Sequence, residues 1–428
     1  MVEHVSVETM SRLDLVIFGA TGFTGKKVVE KLARGGESYD TLSWGVAGRS
    51  QRKLEKMVAD VSKLTGKDLS HIRILVADTG DNKSLKQMCA QAKVLINCCG
   101  PYRLYGEPVV RAAIDAKTHY VDVSGEPLFM ETMQLVYDGQ AREAGVYVIS
   151  ACGFDSIPND MGVVFLQQKW EGTLNSVESY METYLSPDFK NKGSKTSVLN
   201  SGTWESLIYG FSDQLKLLSL RKQLFPEKML KFEPELQLRG PLHKHNKDWY
   251  VPFLGADKFV VYRTQHRSYF DGERPVQFEV YYKTRSLLNT LLFAIAAAFL
   301  FVMSMVSITR NLVINYPSFF SAGMFTKEGP SEEVINNCHF RVELVGKGWE
   351  KGVDTKRTPM NKTMVARISG VNPGYGATVL GVLHSALTIL WEQHKMPKGG
   401  VLTTGAAFSN TTLIEQLHKN GFKFEIVK

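Results

Sequence analysis

The chain has 428 residues, which is enough for two or three domains with a large buried core. Hydrophobic residues make up 44% and charged residues 22%, ordinary values for a globular protein that exclude a mainly disordered one. The net charge is +8, and the excess of Lys and Arg is scattered rather than clustered. Such a surface favours anionic lipid or phosphate as a partner and argues against nucleic acid. Five cysteines without CxxC or Cys/His spacing indicate reduced thiols and predict no metal site.

The first predicted element is a strand over residues 13–18 that stops at a glycine-rich turn before a helical pattern. Gly19 would allow the tight turn, Gly22 the close approach of a pyrophosphate, and Gly25 the packing of helix on strand. The helix N-terminus would then offer free N–H groups to phosphates. A purely structural turn is the alternative. The candidate cofactor-binding residues here are Gly19, Ala20, Thr21, Gly22, Phe23, Thr24 and Gly25.

The ends of the second and third predicted strands, 43–47 and 72–77, indicate which dinucleotide is bound. An NAD site usually places a carboxylate after the second strand, whereas this chain has Arg49, whose guanidinium suits a 2′-phosphate. We therefore expect NADP(H), with Ser50 adding a hydroxyl donor and Asp78 contacting the adenine edge. A solvated Arg49 and a loop-capping Asp78 are the alternatives.

Three further predicted strands, 94–99, 120–123 and 146–149, also end in glycine with polar or aromatic neighbours. Ligands of open α/β sheets bind beyond the carboxyl ends of the strands, so these ends predict where nicotinamide and substrate meet. Each of these residues could instead form a turn. The candidates are Gly100 and Pro101 for the cofactor, Tyr102 and Asp155 for proton transfer, and Glu126 for orienting the substrate.

The remainder of the chain predicts a second, α+β domain, because alternating apolar patterns replace the strand–helix units. We expect residues 1–160 to form a Rossmann-type doubly wound parallel sheet, 161–370 a mixed-sheet substrate or partner domain, and 371–428 helices and a strand that complete the fold. A long helix is predicted from Gly374. The strands predicted in the second domain are 177–185, 258–263, 276–282, 340–345 and 363–369.

An apolar insert over residues 286–326 breaks this pattern. Residues 286–309 carry no charge and include twelve Leu, Ile, Phe or Val, and as a helix they would span about 36 Å. A single span would separate the C-terminal hundred residues from the rest of the fold, so a hairpin or interfacial segment on one face of a membrane or lipid droplet is favoured. A buried core helix and a true span are the alternatives. Residues 1–14 have no apolar run, so no secretory signal is expected.

Several of these motifs together resemble the saccharopine dehydrogenase-like oxidoreductases. They are the segments 19–25, 47–50, 97–102, 124–126, 153–158, 370–376 and 397–400. The resemblance implies an NADP(H)-dependent oxidoreductase. It further implies kinship with bacterial trans-acting enoyl reductases of glycolipid synthesis, and an association of animal members with lipid droplets and membranes.

The resemblance to the enoyl reductases, together with the apolar insert, implies hydride transfer to or from an apolar acyl or enoyl substrate at a lipid surface. None of the sixteen tyrosines is followed four residues later by Lys, so the Tyr-x-x-x-Lys pair of short-chain dehydrogenases is missing. A non-catalytic NADP(H)-binding droplet protein is the alternative. We expect a location on the cytosolic face of a lipid droplet or membrane, with the mitochondrion and a homodimer left open.

Overall fold

The computed structural model describes residues 11–36, 39–189, 199–230, 232–284 and 286–428. The expectation of no secretory signal rests largely on residues 1–10, which lie outside these ranges. Arg285, which precedes the insert, lies outside them too.

The first sheet, called here the nucleotide sheet, is built from seven parallel strands in the order β15-β6-β5-β4-β1-β2-β3. Its strands are β1 (Leu13–Phe18), β2 (Trp44–Gly48), β3 (Arg73–Val76), β4 (Ala92–Asn97), β5 (His119–Asp122), β6 (Tyr147–Ile149) and β15 (Gly400–Leu402). The helices that connect and follow the first six strands are α1 (Phe23–Arg34), α2 (Gln51–Thr65), α3 (Asn82–Cys89), α4 (Tyr102–Asp115), α5 (Pro127–Ala144) and α6 (Ile157–Lys169). The predicted doubly wound fold is confirmed.

The second sheet also has seven strands, in the order β16-β14-β13-β7-β11-β10-β9, and it is mixed because β7 and β11 pair in parallel while the other pairs are antiparallel. Its strands are β7 (Gly172–Leu185), β9 (His243–His245), β10 (Asp248–Pro252), β11 (Gln277–Thr284), β13 (Cys338–Glu350), β14 (Lys362–Val371) and β16 (Lys423–Ile426). A separate two-stranded ribbon pairs β8 (Leu199–Asn200) with β12 (Phe325–Thr326).

The later helices fall before, within and after the insert. They are α7 (Ser201–Ser212), α8 (Gln214–Leu224), α9 (Asp257–Phe270), α10 (Leu287–Met305), α11 (Ser307–Asn315), α12 (Pro317–Phe320), α13 (Glu332–Asn337), α14 (Thr378–Glu392), α15 (Thr404–Phe408) and α16 (Leu413–Lys419). A π-helical turn, Pro373–Ala377, leads into α14, and a 3₁₀ turn, Gln393–Lys395, follows it. The long helix predicted from Gly374 is therefore confirmed.

The strand predicted over residues 258–263 is wrong, because this segment lies inside α9. Asp257, Val260, Val261 and Thr264 are buried at the spacing of one helix face. Six residues are too few to distinguish the alternating pattern of a strand from the apolar stripe of a helix. Over the whole length of α9, the pattern fits only the helix.

The C-terminal segment joins the two sheets. β15 adds the seventh strand to the nucleotide sheet beside β6, and β16 pairs with β14 in the second sheet. One continuous hydrophobic core contains Ile17 of the first sheet and Leu344 of the second. Gly162 of α6 allows close packing between them, since a Cβ there would overlap the Leu344 side chain.

The insert forms a helical hairpin that leaves most of its apolar surface uncovered. Two described helices are long and apolar enough to cross a membrane: residues 373–395, which are 72% buried in the core, and Leu287–Met305, which is 11% buried. The buried core helix considered for the insert is therefore wrong. The neighbouring strands β11 and β13 both pair with β7, so a single span between them would place one sheet on both sides of a membrane.

Candidate functional site

The carboxyl edge of the nucleotide sheet contains the switch point of the fold. The chain order runs outward in opposite directions from β1 and β4, and ligands of such sheets bind in the crevice between these two strands. Gly19 follows β1 with φ +80°, and a Cβ there would lie 2.9 Å from the Cys98 carbonyl carbon in the loop after β4. A Cβ on Gly25 would overlap the Gly19 oxygen. Only glycine fits at both positions, so the turn and the start of α1 lie against each other.

The N-terminus of α1 is open to a ligand. Thr21 and Gly22 are exposed, and Gly22, as N-cap, provides no side chain. Among the residues that the structure describes, none accepts a hydrogen bond from the N–H of Phe23, Thr24 or Gly25. Three free N–H groups and the positive end of the helix dipole therefore face the crevice, as a pyrophosphate requires.

Arg49 and Asp78 lie at the same edge, and both act electrostatically on the Cys99 thiol after β4. Burial raises the pKa of that thiol, Arg49 opposes the shift and Asp78 adds to it. Arg49 is exposed and makes no ion pair or hydrogen bond with any residue in the described ranges. Its guanidinium is free to bind a 2′-phosphate.

Two neighbouring candidates serve the local backbone. The Ser50 hydroxyl caps α2 by accepting a hydrogen bond from the Lys53 N–H at 3.4 Å. The Asp78 carboxylate accepts one from the Gly80 N–H at 2.8 Å, which is the loop-capping role left open for it. Contacts of Ser50 and Asp78 with the cofactor stay predictions.

Tyr102 and Glu126 also have structural roles. Tyr102 is 6% exposed, and its hydroxyl donates to the Asn97 carbonyl at 2.9 Å. Burial raises the pKa of the Tyr102 phenol well above its usual value, with the Asp122 charge adding to the shift. The Glu126 carboxylate accepts hydrogen bonds from the Tyr102 and Arg103 N–H groups at 3.0 and 2.9 Å, so it holds the start of α4 under the Gly100–Pro101 turn. Proton transfer by Tyr102 and substrate contact by Glu126 stay predictions.

Among the three catalytic candidates, Asp155 is the one whose side chain makes no hydrogen bond or ion pair within the described residues. It is solvent-accessible, its Oδ2 lies 3.2 Å from the position a Cβ on Gly125 would take, and no hydrogen bond to its carboxyl is found within the described residues. Protein nevertheless surrounds it closely enough that desolvation raises its pKa. The strands that carry Asp155 and Gly19 are three strand spacings apart, about 14 Å along the sheet edge.

Asp257, at the start of α9, lies near Asp155 and was not predicted. It is fully buried, its Oδ1 accepts from the Asn159 amide at 2.6 Å, and its Oδ2 has no partner within the described part of the chain. Burial raises the pKa of Asp257 well above its usual value, and the charges of Asp155 and Asp160 add to the shift. Asp257 was missed because residues 258–263 were assigned to a strand. The helical spacing of the buried residues of α9 is the signal that could have identified it.

The second domain contributes α7, whose contacts with this edge were also not predicted. The Ser206 hydroxyl donates to Glu126 at 2.8 Å, and Asp213 after α7 forms an ion pair with Arg103. On the cofactor side, the Tyr375 ring packs on Phe23 of the glycine turn with centroids 4.4 Å apart. The two domains therefore enclose the crevice jointly.

Comparison with known proteins agrees with this geometry. Residues 15–149 match the family model described as the saccharopine dehydrogenase NADP binding domain. The human saccharopine dehydrogenase-like oxidoreductase is 38% identical over 96% of this chain and 97% of its own. The chain belongs to the saccharopine dehydrogenase-like oxidoreductase family.

Other members and structures extend the likeness. A Caenorhabditis elegans family protein named lipid droplet localized protein is 39% identical over 97% of this chain and 99% of its own. The apo saccharopine dehydrogenase (L-Glu forming) of Saccharomyces cerevisiae matches with a TM-score of 0.51 at 15% identity, covering 97% of this chain and 100% of that one, so it shares the fold.

The nucleotide domain binds NADP(H), in agreement with the NADP-binding family model that residues 15–149 match. The residues present fit that cofactor. The N–H groups at the start of α1 and the glycines at 19, 22 and 25 suit its pyrophosphate, and Arg49, which has no ion-pair partner in the described part of the chain, suits its 2′-phosphate.

Proposed function

We propose that this oxidoreductase reduces or oxidises an apolar, lipid-type substrate while it is attached to a lipid droplet or membrane surface. The observation that carries the proposal is the position of the exposed apolar hairpin α10–α11 relative to the candidate site. α7 packs against α10 and α11 on one side, and on the other it contacts Glu126 and Arg103 at the carboxyl edge of the nucleotide sheet. A single helix therefore separates the apolar surface from the crevice.

The hairpin has the composition of a surface that inserts into lipid. The side chains of Leu288, Val302 and Ile308 are 65%, 67% and 79% exposed, although each would gain about 1.5–3 kcal/mol on leaving water. Its inner face is anchored, since Trp204 and Ile208 of α7 pack against Leu300. The hairpin thus supports insertion without a change in the fold, and an oil droplet, which has no second aqueous side, accommodates it.

Bound NADPH would supply the hydride, and Asp155 is the residue available for the proton. Its carboxyl is accessible, makes no hydrogen bond within the described residues, and has a raised pKa. It is therefore suited to exchange a proton with a substrate bound above the sheet. Tyr102 and Glu126 would keep the α4 turn in place beside it.

A non-catalytic NADP(H)-binding protein of the lipid surface is the second candidate. The observation that favours it is that two of the three predicted catalytic residues, Tyr102 and Glu126, are engaged in the fold. Both candidates require cofactor binding, so turnover separates them.

The test is NADPH oxidation by the full-length protein on phospholipid-coated oil droplets that contain enoyl or keto lipids. We expect substrate-dependent oxidation that Asp155→Asn lowers by about 100-fold, the scale of a lost general acid. The matched control is Asp354→Asn, an exposed carboxylate near β14, which should oxidise NADPH as the wild type does. Tight NADPH binding without turnover of any lipid in the panel would favour the non-catalytic candidate. Turnover of water-soluble substrates alone would contradict the lipid substrate.

A further inference from the structure

A second cavity lies away from the crevice, on the outer side of the nucleotide sheet. It has a volume of about 210 Å³ and is lined by α5, α9, the edge strand β15 and the segment that follows it. The edge strand β15 is four strands from β1 in the sheet order, about 19 Å at the usual spacing, so this cavity is separate from the cofactor turn.

Arg263 is the central feature of the cavity. It is 6% exposed, and its Nε donates to the Gln134 side chain at 2.5 Å, but it forms no ion pair with any acid in the described ranges. The nearest carboxylates are committed elsewhere. Glu131 binds Arg221 through two hydrogen bonds, and Asp160 accepts from Thr264 and from the segment after β15.

The buried guanidinium is therefore a charge without a direct counter-ion. Arginine stays protonated in proteins, so it cannot escape this environment by losing a proton. Burial lowers the pKa of Arg263, and Glu131 and Asp160 oppose the shift from a distance. The terminal nitrogens of Arg263 make no hydrogen bond within the described residues and are not fully shielded from solvent. Because Arg263 lines the cavity, these N–H donors are available to a bound molecule.

Two more arginines give the cavity an excess of positive charge. Arg142 and Arg267 line it together with Arg263, and among the described residues Asp138 is the one lining carboxylate. Asp138 pairs with Arg142 at 2.7 Å and accepts from the Val401 N–H at 2.9 Å, while Arg267 pairs with an exposed acid outside the lining. The formal charge of the lining is therefore +2.

We infer that this cavity binds a small phosphate-type dianion, either inorganic phosphate or the phosphoryl group of a phosphomonoester. Guanidinium groups bind such oxyanions through paired, charge-assisted hydrogen bonds, and the arginines of the lining outnumber its carboxylate. The volume of about 210 Å³ has room for a phosphoryl group and a short substituent. The inference does not depend on the proposed function.

The test measures binding of inorganic phosphate and of glycerol 3-phosphate to the full chain by calorimetry, with potassium chloride at matched ionic strength. We expect saturable binding that Arg263→Gln weakens at least tenfold. Since Arg263→Gln can disturb the core, Arg267→Gln serves as a second variant, with a smaller loss expected because its side chain is more exposed. Arg357→Gln, far more exposed and outside the cavity, should bind as the wild type does.

Arg49→Gln separates this site from the cofactor turn, which also attracts phosphate. If Arg49→Gln still binds phosphate as the wild type does, the result supports the cavity as the binding site. If Arg49→Gln loses phosphate binding, the inference is overturned. Tighter binding of glycerol 3-phosphate identifies a phosphomonoester as the ligand class, and equal or weaker binding identifies free phosphate. The inference is overturned if phosphate binds no better than chloride, or if the Arg263 and Arg267 variants both bind as the wild type does.

Discussion

Arg49 stands at the end of β2, exposed and without an ion pair to any described residue. Replacing it with Ala removes one charge-assisted contact to the 2′-phosphate while leaving the pyrophosphate turn intact. We expect Arg49→Ala to weaken NADPH binding by about 10- to 100-fold, since hydrogen bonds to charged groups contribute about 1.5–3 kcal/mol. Fluorescence titration with NADPH measures the change.

NADH is the internal control for that measurement, because it lacks the 2′-phosphate and should bind Arg49→Ala as it binds the wild type. A parallel loss for both dinucleotides would point to a damaged fold, and unchanged NADPH binding would rule out Arg49 as the 2′-phosphate ligand.

The buried carboxyl of Asp257 makes stability depend on pH. Its pKa is raised in the folded state by burial and by Asp155 and Asp160, so the folded protein holds this proton more tightly than the unfolded chain. The free energy of unfolding therefore falls as pH rises above the unfolded value of 3.8 towards the raised one, by up to about 1.4 kcal/mol per pH unit. Asp257→Asn removes this dependence.

We expect Asp257→Asn to gain stability relative to the wild type as the pH is raised from about 5 to about 8, as measured by urea unfolding at each pH. The exposed Asp354→Asn serves as control and should follow the wild type throughout. A wild-type stability that rises relative to Asp257→Asn over this range would show that the folded state favours the Asp257 carboxylate.

At the scale of elements, the glycine turn and the strand-end residues could be predicted because each depends on a few adjacent residues. A glycine after an apolar run indicates a tight turn, and the carboxyl ends of parallel strands necessarily share one edge. α9 could not be separated from a strand over six residues, and the three-residue strand β15 is too short to carry a periodic signal. The partnership of α7 with Glu126 and Arg103 joins residues 80 or more positions apart, which no local pattern reports.

The apolar face of α10 is the element we expect to bind lipid. The double variant Leu288→Asp, Val302→Asp places two charges on its most exposed side chains, each at a cost of about 2.5–3.5 kcal/mol if it enters hydrocarbon. We expect flotation of the protein with phospholipid-coated oil droplets to fall at least about tenfold, while NADPH binding is retained.

A matched control carries the same chemistry outside the insert. Leu215 and Leu238 are each 71% exposed, and the double variant Leu215→Asp, Leu238→Asp should float as the wild type does. Equal flotation of both double variants, at the level of the wild type, would mean that α10 does not mediate droplet binding.

At the scale of the whole molecule, one hydrophobic cluster extends across both sheets, and a second covers the other face of the nucleotide sheet. Ile17 of β1 and Leu344 of β13 belong to the same cluster of buried side chains, and α6 packs between the sheets through Gly162. The C-terminal strands β15 and β16 divide between the two sheets, so neither sheet is complete without the same segment. The predicted division at residues 160 and 370 stays a prediction.

A shared core predicts one cooperative unfolding transition, and a cofactor bound to the first sheet should stabilise the second equally. NADPH at about 100 times its dissociation constant adds about 2.7 kcal/mol to the free energy of unfolding, which raises the melting temperature by a few degrees. Far-ultraviolet circular dichroism reports both sheets. In the variant Trp44→Phe, Trp391→Phe, the remaining tryptophans, among them the buried Trp349 of β13 and Trp204 of α7, report the second domain by fluorescence. The two signals should shift together, because the second domain cannot unfold without exposing core residues of the first. The contrary outcome is two separate transitions, of which NADPH shifts only the one that leaves the fluorescence unchanged. That outcome would show that the two domains unfold independently.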